Sequence, residues 1–209
     1  MNVKQKRAAA WAKIESQLQL ADIILVRDKS LLSRTIRSVT KSYWSHAIIV
    51  FAVPDAAMLF NNTLVISAEN GGIEIHRIQK YTKHFDYFDF GVKRVPGLSA
   101  ETKAKVLSYV LNNVDIPYDY LRLFGFLMYF ILSKIRKNGQ AHLQKIFTNE
   151  NAFICSSFIQ KAFYAAVPKE KKYAAVFKED RSSRFFLEEV TPADIARSKN
   201  CVWLYNPHN

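Results

Sequence analysis

Only six glycines, six prolines and two cysteines occur among the 209 residues. So little Gly and Pro excludes a collagen-like or low-complexity chain, and an apolar content of 49% excludes most disordered compositions. Cys155 and Cys201 could form at most one bridge, so the chain is no disulfide scaffold, and they are too far apart in sequence to form a zinc motif. Neither GxGxxG nor GxxxxGK[ST] is present, which removes the common phosphate-cradling loops, and no histidine pair fits HExxH. Long hydrophobic runs are missing too. The longest, Leu123 to Leu132, has ten residues, against about 20 for a helix that crosses a bilayer.

Acidic residues are the scarcer charge, 18 against 30 Lys and Arg, for a net +12. The excess is even, with 14 basic and 8 acidic groups in residues 1–100 and 16 and 10 in the rest. A field of this sign suits nucleic acid, an anionic membrane or acidic partners without choosing among them. Nucleic-acid binding is disfavoured, because the cations are scattered along the chain and form no continuous basic stripe interleaved with aromatics.

What is present reads as one α+β domain. Trp11, Ile14 and Leu18 fall at helical spacing, and a helix ending near Leu20 is expected, packed on the body. With Lys4, Lys6, Arg7 and Lys13 beside it, this helix is also a candidate for contact with an anionic membrane surface. No apolar leader precedes it, so a cytoplasmic protein is expected, with peripheral membrane contact open to it. Strands are expected over 21–27, 43–53, 63–68, 73–78 and 87–95, with a short helix or ordered loop at 29–40. The period changes at Ser99, which opens a helix, and 153–167 is the best core helix, stopped by Pro168. Residues 121–132 read as a helix that is either buried or exposes aromatic surface to lipid. A short strand over 186–190, a helix opening at Thr191-Pro192 and a last strand over 202–205 close the chain.

Three side chains stand out as chemistry-bearing. Cys155 falls near the start of the core helix, where unpaired N–H groups and the helix dipole would stabilise a thiolate; packing is the competing role for such a cysteine. His46 lies in a strand and suits either a general base or a half-buried structural ring. Glu69, at a strand end before Asn70-Gly71-Gly72, could orient an imidazole or simply sit solvated in a turn.

The segments DIILVR, YWSHAIIV, VISAENGGIEI, VDIPYDY and ICSSFIQKAFY, in that order, resemble the circularly permuted papain-like proteins of the NlpC superfamily, in particular the YiiX/YebB-like group, distantly related to lecithin–retinol acyltransferase. In ordinary members the cysteine helix precedes the histidine strand; in the permuted group the histidine comes first, as His46, Glu69 and Cys155 do here. The ending TPADIARS is similar to the segment that closes these domains. The resemblance covers about residues 20 to 200. It implies a papain-like core over 21–205, a helical insertion at about 119–150 and a first helix (1–20) outside the core. It further implies Cys155 as nucleophile, His46 as base, Glu69 as the group orienting His46, and Tyr118 as a hydroxyl at the oxyanion site. The implied activity is acyl transfer from an amide or ester in a peptide or acyl-lipid substrate, by hydrolysis or to an acceptor, with neither metal nor cofactor; a binding module that kept the fold is the rival.

Overall fold

A computed structural model describes residues 2–69, 72–114, 155–168, 172, 175–179, 187 and 189–208. Its elements are α1 (Val3–Glu15), β1 (Ile23–Arg27), α2 (Leu31–Thr40), β2 (His46–Ala52), β3 (Leu64–Glu69), β4 (Gly72–Arg77), α3 (Gln79–Thr82), β5 (Asp89–Arg94), α4 (Ala100–Leu111), α5 (Cys155–Ala166), α6 (Pro192–Arg197) and β6 (Val202–Tyr205). The six strands form one sheet in the order β4-β3-β2-β1-β5-β6, every neighbouring pair antiparallel. The α+β architecture is as expected from the change of period at Ser99.

Alternation along the central strands splits the apolar residues between two layers. Ile23, Leu25, Ala47, Ile49 and Ile66 face one core with Val106, Val110, Phe158 and Phe163, so α4 and α5 cover that face. Ile24, Val26, Ile48, Val50 and Val65 face a second core with Trp11, Ile14 and Leu18 of the N-terminal segment and with Tyr81, Phe85 and Phe90. The apolar stripe of α1 is therefore buried on the sheet and is not available to a membrane. The helix also ends at Glu15, earlier than Leu20, where Ser16 and the following turn break the ladder.

Local chemistry accounts for the element boundaries. Ser30, Ser99 and Thr191 each accept a backbone N–H three residues on, at the starts of α2, α4 and α6. Thr191 and Asp194 complete a capping box, with Pro192 at the first helical position. Gly91 of β5 has a packing reason to be glycine: a Cβ there would come within 2.7 Å of Trp44 and 2.8 Å of Trp203. Residues 187, 189 and 190 lie outside any strand, contrary to the strand expected over 186–190; the Val190 carbonyl instead accepts from Ser156 Oγ at 2.7 Å. Tyr118, the helix expected over 121–132 and the whole of the insertion lie outside the described residues. Among the described residues no helix is long and apolar enough to cross a membrane.

Candidate active site

The central strand β2 begins at His46, and α5, which packs across β2 and β3, begins at Cys155. His46 thus sits on the first residue of β2, and Cys155 on the first described residue of α5. His46 pairs with Val26 of β1. On the other side, Ile49 lies opposite Ile66 and Val50 opposite Val65; carried back, that register sets His46 level with Glu69, the last residue of β3.

Electrostatics tie the three together. Burial by itself would push the Cys155 thiol up, but the His46 charge, a hydrogen bond with the ring and backbone N–H groups of Ala47 and Ser156 hold it below its ordinary value. Burial would push the imidazole down, yet the charge and hydrogen bond of Cys155 reverse the sign, with Glu69 and Asp28 adding to it, so His46 holds its proton above the usual range. His46 Nε2 is enclosed and has no hydrogen-bond partner among the described residues. Each of the pair favours the charged form of the other, the condition for a thiolate–imidazolium pair.

Glu69 reaches His46 through its charge, not through a hydrogen bond. Its oxygens are taken by Ser67 Oγ at 2.8 Å, by Lys80 Nζ at 2.6 Å and by the Tyr81 hydroxyl. Burial raises its pKa, but Lys80, Tyr81, His46 and Ser67 together bring it down to about 2. Lys80 also approaches His76 Nε2 at 2.8 Å, and His76 lies 3.0 Å from Glu74. Tyr81 is buried and its hydroxyl pKa is raised, first by burial and then by Glu69.

The structure brings Cys155, His46 and Glu69 into one electrostatic unit; Tyr118 lies outside the described residues. Sequence reasoning missed Asp28, Ser67, Lys80 and Tyr81. Ser67 carried a signal, since it shares a strand face with Glu69 two residues away. Lys80 and Tyr81 carried none, because α3 folds back onto the end of β3 from outside the sheet.

No protein-family model matches the chain, and no curated protein matches it in sequence. Among solved structures it is similar to metalloprotein YiiX from Escherichia coli O157:H7, with a TM-score of 0.57 and 19% identity over 91% of this chain and 98% of that one. Among the described residues no group of three or more His, Cys, Asp or Glu side chains could hold a metal ion. What the likeness does carry is the fold: this chain shares the α+β architecture of YiiX over nearly its whole length.

Proposed function

We propose that the chain is a thiol-dependent hydrolase that cleaves an amide or ester bond through an acyl-thioenzyme on Cys155. The observation that carries this reading is the mutual support of Cys155 and His46, one lowered and one raised, at the opening residues of α5 and β2. The permuted papain-like reading is supported by the chain order His46, Glu69, Cys155 and by a cysteine-bearing helix laid across an antiparallel sheet.

The steps follow from the pair. His46 takes the thiol proton, and the thiolate forms a bond to the carbonyl carbon. The oxygen gains the negative charge, to be held by backbone N–H groups beside Cys155. Collapse expels the amine or alcohol, which leaves with the His46 proton. Water, deprotonated by His46, then attacks the thioester and releases the acid and the thiol. An acceptor hydroxyl or amine in place of water would make the same site an acyltransferase. The substrate class is a peptide or an acyl lipid. The 4% exposure of Cys155 favours one rival, a binding module that kept the fold with a packed thiol.

Alkylation of Cys155 by iodoacetamide as a function of pH, in a Cys201→Ala background with and without His46→Ala, separates these. The hydrolase reading expects a titration below the free-thiol value of about 8.5 that climbs toward it without the imidazole. A thiol that is inert or pH-normal, and indifferent to His46→Ala, would leave a packing cysteine and end the proposal.

A further inference from the structure

The end of β1 and its connection to β2, residues 27–45, hold five cations, Arg27, Lys29, Arg34, Arg37 and Lys41, against one carboxylate, Asp28. Its helix α2 is fastened at Ser33 and at its C-terminal end. Ser33 is buried, and its hydroxyl bonds to the Asp28 carbonyl at 2.9 Å and to Ser45 Oγ at 2.7 Å. Arg197 of α6 donates to the Thr40 and Lys41 carbonyls at 3.1 and 2.9 Å and fixes the other end.

The helix also carries Leu31, 79% exposed, and Leu32, 44% exposed, with Lys29 and Arg34 also exposed around them. Arg37 lies within electrostatic reach of both Arg27 and Arg34. Two adjacent bare leucines with the exposed cations Lys29 and Arg34 near them in sequence are poorly matched to water and well matched to an anionic bilayer interface. There the leucines enter the acyl boundary and the cations meet phosphate and carboxylate headgroups.

Charge singles this helix out from the other bare apolar tip of the molecule. Met58 and Leu59 are 79% and 87% exposed, but residues 53–63 contain Asp55 and no Lys or Arg. That loop also leaves the far end of β2, whereas α2 enters β2 through Ser45, the residue before His46. We infer that the Leu31–Leu32 side of α2, with Lys29 and Arg34, docks the protein on an anionic phospholipid surface, with the His46 end of the sheet beside the bilayer. The docking does not depend on the hydrolase reading, and it is tested on a chain that cannot perform that chemistry.

The test is co-sedimentation of the Cys155→Ala chain with vesicles of phosphatidylcholine alone or mixed with phosphatidylserine. Binding about tenfold or more tighter to the mixed vesicles is expected, weakening as salt rises. Leu31→Ser/Leu32→Ser should lower binding about tenfold or more, since two exposed side chains lose their burial in lipid. Lys29→Gln/Arg34→Gln should lower it comparably. Both pairs change exposed side chains, and an unchanged unfolding midpoint confirms that the fold survives. Equal binding to both vesicles, or phosphatidylserine binding that ignores the leucines, would overturn the proposal. So would displacement of the vesicles by short RNA, which would make the surface a general polyanion site.

Discussion

Cys155 and Cys201 are both buried, at 4% and 3% exposure, and each lies beside a nitrogen base, His46 in one case and Lys93 in the other. Their thiols nevertheless shift in opposite directions. Burial keeps the Cys201 thiol above its ordinary value despite Lys93, whereas His46 and two backbone N–H groups bring Cys155 below. The difference is the polarity of the backbone around each sulfur. Cys155 opens a helix and receives N–H groups. Cys201 faces the end of one: its Sγ points at the Ile195 and Ser198 carbonyls, at 3.5 and 3.9 Å. The charge and hydrogen bond of Lys93 lower the Cys201 pKa without offsetting burial, and the same ammonium also donates to the Ile195, Ala196 and Ser198 carbonyls at 2.9, 2.7 and 2.9 Å. At Cys155 the neighbouring base and the backbone N–H groups act in the same direction; at Cys201 burial outweighs the base.

The largest expected contrast is covalent. With an activated ester as acyl donor and intact-protein mass spectrometry as the readout, the acyl adduct should form on Cys155. Cys155→Ala should slow turnover by about a thousandfold or more, while Cys201→Ala stays within a few fold of wild type. An adduct on Cys201 instead would break the comparison. The dependence of kcat/KM on pH should hold a plateau from the lowered thiol value up to the raised imidazole value. Its acid limb should lie below the free-thiol range and its alkaline limb above the ordinary imidazole value.

Lys93 should matter to folding and not to chemistry. It is 1% exposed, and its three carbonyl partners include the last turn of α6. Lys93→Met would leave those acceptors buried without a donor, a loss of about 2–4 kcal/mol in urea unfolding. The alkylation profile of Cys155 should stay where it is.

Much of this was legible beforehand because it rests on local pattern. The strand at YWSHAIIV, the helix after Ser99 and the capping signature at Thr191 declare themselves through period and cap chemistry, and Cys155 through its place at a helix start. Lys93 and Asp22 were not legible. A charged residue inside a strand reads as solvent-facing, yet Asp22 is buried against Arg94 through bonds of 2.7 and 2.6 Å. Such partners lie more than 70 residues apart and meet only once the sheet order is known. Lys80 and Tyr81 lie only 11 and 12 residues from Glu69, yet they reach it from another element, α3.

Glu69 supplies the charge that the Cys201 site lacks, and its contribution should be visible in acid. Its pKa is about 2 in the fold and about 4.3 in the unfolded chain. Between those values the unfolded state binds more protons, so stability rises with pH across that window. The stabilisation is complete above about pH 4.5 and is lost as pH falls toward about 2, on the order of 2 kcal/mol for this partly exposed carboxylate. Glu69→Gln should lack that component of the acid unfolding curve.

Tyr81 is the smallest and most discriminating case. Its hydroxyl donates to Glu69, and Tyr81→Phe removes that donor while Ser67 and Lys80 remain. The loss of one such bond is worth about 1 kcal/mol, so the Glu69 carboxyl should titrate higher but stay ionised at neutral pH. His46 then still feels the full negative charge, and the alkylation midpoint of Cys155 should rise by a few tenths of a pH unit at most. The effect should instead concentrate in the acid window of Glu69. A midpoint shift in Tyr81→Phe as large as that of His46→Ala would mean that the hydroxyl acts on the thiolate directly, and Glu69 would no longer be the link between them.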